Sequence, residues 1–96
     1  MKTVKHRLLS PAEEVSLSKL IEKGDNTARD KMITHNMRLA LSIANQYRKS
    51  GLSMEDISQE ANVGLIKAVD RFDWRKGFRF STYAVWWIRQ SIRRFI

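Results

Sequence analysis

Cysteine is absent from this chain, proline occurs once and histidine twice among 96 residues. Without cysteine there is no disulfide framework and no Cys₄ or Cys₂His₂ zinc site. His6 and His35 have neither the spacing nor the carboxylate neighbours of a metal or catalytic pair, so both read as ordinary surface or helix histidines. No nucleophile–base pair, metal cluster or phosphate-binding loop appears. The expectation is a protein that is not an enzyme, with no cofactor and no metal. No apolar run approaches the roughly 20 residues of a membrane span, and no stretch resembles the apolar region of a signal peptide. A basic membrane-surface helix is also disfavoured, because no helical segment pairs a Lys-rich face with a wholly apolar one. Acid is scarce: ten Asp and Glu stand against eighteen Lys and Arg, a formal charge of +8.

The aromatic and basic residues are concentrated together. Eight of the nine aromatics lie between Phe72 and Phe95. From Arg71 to Ile96 there are seven bases (Arg71, Arg75, Lys76, Arg79, Arg89, Arg93, Arg94) and one acid, Asp73, so this segment carries +6 of the +8. Cations hold a phosphate backbone, and aromatic faces hold bases that have left the stack. A helical core alone accounts for aromatics but not for bases interleaved with them. The pairing points to single-stranded nucleic acid.

The punctuation predicts an all-α fold, a compact bundle of about four helices in one domain. Ser10-Pro11-Ala12-Glu13 combines an N-cap, a first-turn proline and a capping-box glutamate, and Gly24 ends that helix. Leu17, Leu20 and Ile21 form its apolar side. Asp25 or Asn26 starts a long second helix with the stripe Met32/Ile33, Met37, Ala40, Ile43/Ala44, Tyr47, broken at Ser50-Gly51. Ser53 starts a third whose core face is Ile57, Ala61, Leu65, Ala68/Val69 and Phe72. Asp73 to Gly77 reads as a loop. Ser81 is the expected cap of a fourth helix with Ala84, Ile88, Ile92 and Phe95 inward. The expected division is 1–24, an N-terminal helical region; 26–72, the core and partner-binding helices; and 73–96, the loop and helix that meet DNA.

Two faces remain once the core stripes are assigned. Glu55, Asp56, Gln59, Glu60 and Asn62 are expected to project together from the third helix, an acidic, amide-rich patch on a basic protein. Tyr83, Trp86/Trp87, Gln90 and Arg94 recur at three-to-four spacing on the fourth helix. Adjacent tryptophans point about 100° apart on a helix, so at least one must lie near the surface. Gln90, one turn beyond, suits a bidentate contact with a base edge.

These residues resemble a known family. The string from Gly77 to Ile92 (GFRFSTYAVWWIRQSI) is similar to the promoter-melting, −10-reading segment of sigma-70-family bacterial transcription initiation factors. Asn36 to Ala44 (NMRLALSIA) and Gly51 to Ile66 (GLSMEDISQEANVGLI) resemble that family's domain 2, and Leu8 to Glu14 (LLSPAEE) the end of the helical region before it. The likeness covers about residues 8–96. It implies that Asp56, Gln59 and Glu60 dock on the clamp coiled coil in the largest subunit of core RNA polymerase. By the same resemblance Tyr83, with Phe72, Asp73, Lys76 and Phe78, forms the pocket for the flipped nontemplate adenine at −11. Asn36, Leu39, Arg79 and Ser81, with Glu14 beside them, match the pocket for the flipped thymine at −7. Trp86 and Trp87 match the wedge against the −12 pair, Gln90 a reader of that pair, and Arg89 and Arg94 contacts to phosphate or base.

The chain departs from the family at a few positions. Arg93 stands near the −12 pair where a small polar residue is usual, Trp74 replaces a usual Tyr and Ala61 a usual Gly. Asp73 and Lys76 replace the usual Glu and Arg of the adenine pocket. The family's −35-reading helix-turn-helix has no counterpart, so either a domain fragment or a minimal, phage-type factor is expected. The resemblance implies a bacterial cytoplasmic location (a host's, if phage-encoded), and admits an anti-sigma factor as a further partner. Two other classes of function stay open at this level: a polymerase-binding antagonist, which needs only the Asp56 face, and a general single-strand binder, which does not need it.

Overall fold

Ser10 starts the first helix as the sequence predicts. Its Oγ accepts the Glu13 N–H at 3.1 Å, and Glu13 Oε1 accepts the Ser10 N–H at 2.9 Å, closing a capping box on α1 (Pro11–Glu22). The computed structural model describes residues 7–96; His6 lies outside them. Asp25 is the cap of α2 (Asn26–His35), its carboxylate accepting the Ala28 N–H at 3.0 Å. The long second helix expected from the sequence is in fact two helices. Asn36 leaves helical geometry between α2 and α3 (Met37–Asn45), and its Nδ2 donates to the Met32 carbonyl at 2.8 Å. A short amide competing for backbone partners in this way interrupts a helix without proline or glycine.

Ser53 caps α4 (Met54–Arg71) by accepting the Asp56 N–H at 3.1 Å. A single 3₁₀ turn (Trp74–Lys76) follows, closed by Gly77 at φ +85°, a conformation costly for any residue with a Cβ. The last helix, α5 (Phe80–Phe95), begins one residue before the expected cap. Ser81 therefore lies inside it, and the N-cap Arg79 makes no side-chain capping bond. Glu14 of α1 takes over that role: its Oε1 accepts the Phe80 N–H at 3.1 Å. A carboxylate satisfies an orphan donor and meets the positive end of the helix dipole, wherever in the chain it comes from.

Helices α4 and α5 form the spine of an all-helical bundle. Tyr83 Oη donates to the Arg71 carbonyl, Gly64 faces Ile88, and Ser91 Oγ donates to Glu60, so the two helices run in opposite directions. Their backbones touch at Gly64, where an added Cβ would lie 2.7 Å from Ile88 Cα and from the Trp87 carbonyl oxygen. Glycine is required there by space. The largest fully buried side chains are Phe80, Met32, Ile57, Leu65, Ile88 and Ile92. The expected stripe of α4 from Ile57 to Val69 is buried, with Phe72 half-buried at its end. On α5 the inward positions are Phe80, Ala84, Ile88, Ser91 and Ile92, whereas Phe95, expected inside, is exposed. Met37 and Leu20, also assigned to apolar stripes, are exposed as well. Arg29 of α2 grips both carboxylate oxygens of Asp70 on α4, at 2.7 and 3.1 Å.

Candidate nucleic-acid interface

Four aromatics gather where α4 ends and α5 begins. Phe72 and Phe78 hang from the intervening loop, Tyr83 and Trp87 from the flank of α5 above it. The Tyr83 ring lies 5.9 Å from Phe72, 6.0 Å from Phe78 and 6.2 Å from Trp87 by centroid. Phe72 rests edge-on against buried Phe80 at 5.2 Å, which anchors the cluster in the core. Arg71 lies over the Trp87 ring, with Cζ 4.9 Å from the centroid. The result is a partly open aromatic cage with cations at its rim. Of the residues expected to form an adenine pocket, Phe72, Phe78 and Tyr83 are brought together. Lys76 is exposed in the intervening turn. Asp73 is engaged by its own turn, accepting the Arg75 N–H at 3.0 Å and Arg75 Nη1 at 3.2 Å. Those bonds, the backbone one first, hold its carboxyl below the usual aspartate range.

Two residues of the expected thymine pocket come together. Glu14 and Arg79 meet directly: Arg79 Nε and Nη2 donate to the two Glu14 oxygens at 3.0 and 3.1 Å, and Nη2 also reaches the Leu9 carbonyl at 2.9 Å. Glu14 is buried, while almost half of the Arg79 side chain stays in solvent. The pair raises the Arg79 pKa, through the hydrogen bond to Glu14 first and its charge second. Asn36 sits at the α2–α3 break, Leu39 packs against the core, and Ser81 is half-buried in the first turn of α5.

The sequence spacing grouped Tyr83, one or other of Trp86 and Trp87, and Gln90 along α5, and the structure divides this group. Tyr83 and Trp87 turn toward the cage. Trp86, 59% exposed, turns the other way into a groove of about 470 Å³ that it shares with Thr82, Val85, Arg89, Gln90, Arg93 and Arg94. The two indoles meet edge-to-face at 5.2 Å, forming a ridge between cage and groove. Trp87 Nε1 and Gln90 Oε1 are buried without a hydrogen-bond partner. A buried donor and a buried acceptor left unpaired on a basic, aromatic surface are groups that a ligand can satisfy. Arg89 is tethered to Gln46 of α3, its Nη2 donating to Oε1 at 3.3 Å, whereas Arg93 and Arg94 are exposed.

The acidic patch on α4 is narrower than the sequence suggested. Glu55, Asp56 and Gln59 are exposed. Glu60 leans toward α5 and accepts the Ser91 hydroxyl at 3.0 Å, and Asn62 leans toward α3. There it lines a groove of about 230 Å³ with Ser58, Arg38 and the exposed apolar pair Met37 and Leu41. This apolar flank escaped the sequence reading because helical periodicity assigned Met37 to the core. The capping role of Glu14 escaped it too, since nothing local links Glu14 to Phe80.

Known proteins share this arrangement of sequence. The family profile described as Sigma-70 region 2 matches residues 32–96, and that described as Sigma-70 factor, region 1.2 matches residues 4–27. A curated relative, the RNA polymerase sigma factor SigA of Clostridium acetobutylicum, is 55% identical over 89 residues, which is 93% of this chain and 24% of that protein. The chain thus spans about a quarter of the length of that relative. With the aromatic string on α5, the helical bundle beneath it and a family match over two thirds of its residues, this chain belongs to the sigma-70 family.

Proposed function

We propose that this protein is a promoter-recognition module that docks on core RNA polymerase and captures flipped nontemplate bases of the −10 element during transcription initiation. The observation that carries the reading is the pair of sites on either side of the Trp86–Trp87 ridge: an aromatic cage on one flank of α5 and an arginine-lined groove on the other. A base turned out of a helix stacks in the first, while the backbone and last intact pair lie along the second. Tyr83, Phe72, Phe78 and Lys76 hold the adenine at −11, with Asp73 at the pocket's edge. Asn36, Leu39, Ser81, Arg79 and Glu14 hold the thymine at −7. Trp86, Trp87, Gln90 and Arg93 meet the −12 pair, and Arg89 and Arg94 the backbone. Asp56, Gln59 and Glu60 provide the polymerase-docking face, and the apolar groove at Met37 and Leu41 extends it.

Magnitudes limit what the module does alone. Two stacked bases contribute roughly 2–6 kcal/mol, at about 1–3 each. Opening a six-pair hexamer costs about 8 kcal/mol in stacking. The module therefore captures a strand already open, and polymerase contacts supply the rest. Its role is non-catalytic, and its place is the bacterial cytoplasm where transcription proceeds. An antagonist that only blocks the polymerase site has no use for an aromatic cage and an arginine groove. Binding of a −10 nontemplate oligonucleotide, with and without core polymerase, tests the reading. Ternary assembly supports it; polymerase binding that excludes the oligonucleotide moves the assignment to an antagonist, and oligonucleotide binding by a protein that does not bind polymerase moves it to a general binder.

A further inference from the structure

The loop that carries two walls of the cage is weakly built. Between Phe72 and Phe80 its backbone-to-backbone bonds are two, both long, Lys76 N–H to the Asp73 carbonyl at 3.3 Å and Gly77 N–H to the Trp74 carbonyl at 3.5 Å, with the Arg75 N–H donating to the Asp73 carboxylate beside them. What holds it lies on another element. Glu22, the last residue of α1, accepts Arg75 Nη1 at 2.7 Å and Nη2 at 3.0 Å, and Trp74 Nε1 at 3.4 Å. Lys19, one turn earlier on α1, sits 4.8 Å from the Trp74 ring centroid, and the Arg75 guanidinium lies 4.6 Å from it. Arg75 also reaches Asp73. One carboxylate on α1 is thus bonded to two consecutive loop residues, and one of these is bonded to a third.

We propose that Glu22 and Lys19 are positioning residues for base capture, holding the 3₁₀ turn through Arg75 and Trp74 so that Asp73 and Phe78 stand in register with Tyr83 and the core-anchored Phe72. This rests on the reading of the cage as the adenine pocket. A bidentate arginine–carboxylate pair fixes orientation as well as distance, and a cation over an indole adds to it. The two cage walls flank the tethered turn directly, at Phe72 and Phe78. Releasing the turn lets Asp73 and Phe78 shift from Tyr83 without disturbing the core, because Phe72 stays anchored on buried Phe80 and the α4–α5 contact lies beyond the turn. The thymine pocket gains nothing from this tether, since Glu14 and Arg79 are joined independently.

The test uses the full chain with fluorescent nontemplate −10 oligonucleotides in the presence of core polymerase, comparing second-position A with C and final-position T with C. Glu22→Ala is expected to reduce discrimination at the A by roughly five- to tenfold and to leave discrimination at the T unchanged. Glu22→Gln, which keeps an acceptor but not the charge, is expected to restore part of it, and Lys19→Ala to lose a smaller part. Full discrimination at the A in Glu22→Ala overturns the proposal while leaving the pocket reading intact. Equal losses at both positions overturn it in favour of a general structural role. A wild-type chain indifferent to the A defeats the pocket reading, and the positioning role with it.

Discussion

Glu14 joins parts of this molecule that lie far apart in sequence. Buried on α1, it binds Arg79 with both oxygens and closes the first turn of α5. Glu14→Ala removes a cap and leaves the Phe80 N–H inside the protein without a partner, so a loss of about 1–3 kcal/mol is expected in urea denaturation. Glu14→Gln keeps an acceptor and should lose less. At Tyr83 the expected effect is on recognition instead. Tyr83→Ala should erase most discrimination at the adenine, about 1–3 kcal/mol, and spare that at the thymine; Asn36→Ala should do the reverse. Gln90→Ala should matter only for probes that keep a duplex at −12. Competition binding with single-base variants of the oligonucleotide reads all three. Loss at both bases from either the Tyr83 or the Asn36 change would deny that the pockets are separate.

Among the elements, the α4–α5 pair leaves no room for a side chain where its backbones meet. Gly64→Ala would place a methyl group 2.7 Å from the backbone of α5, with no flexible side chain to yield. The helices must part, at an expected cost of at least about 1–3 kcal/mol and a lower melting temperature. On the opposite face of α4, Asp56→Ala with Gln59→Ala should weaken binding to core polymerase while leaving helicity and melting nearly unchanged, because both residues are exposed. Unaltered binding by the double variant would remove the docking assignment. The elements also show what could be read in advance. The starts of α1 and α4 were legible because Ser10 and Ser53 satisfy donors three residues away. The break at Asn36 was not, because it depends on a side chain choosing the Met32 carbonyl over solvent. The start of α5 lies two residues before the one expected, because its cap comes from 66 positions earlier in sequence. Ser81 is a good local cap that a stronger distant carboxylate displaces.

Over the whole molecule, charge enters stability modestly and the proposed binding more strongly. The carboxyls of Glu22, Asp70 and Asp73 are all held below their usual values, by Arg75, Arg29 and the Arg75 backbone N–H respectively. Each therefore binds its proton more readily in the unfolded chain than in the folded one. Their stabilisation is present above the ordinary values of 4.5 for Glu and 3.8 for Asp, and is lost as pH falls below them. Chemical denaturation should show a flat stability profile from neutral pH down to about 5 and a decline below that, modest because these pairs are largely exposed. The concentration of charge in the last 26 residues sets the response to salt. Affinity for single-stranded DNA should fall with a slope of about −0.7 per phosphate neutralised, and Arg94→Ala should shallow it by about that amount. This basic, aromatic segment was legible in composition alone. Its division into cage and groove was not, because two adjacent tryptophans do not reveal which one turns inward until Phe72 and Phe78 are in place. The central claim is that this surface reads a flipped base. The most direct measurement is the affinity of the protein, with core polymerase present, for a TATAAT-like nontemplate strand against a scrambled strand of the same composition. The matched strand should bind more tightly, with the second-position A and the final T accounting for most of the difference; equal affinity for the two strands would contradict the account.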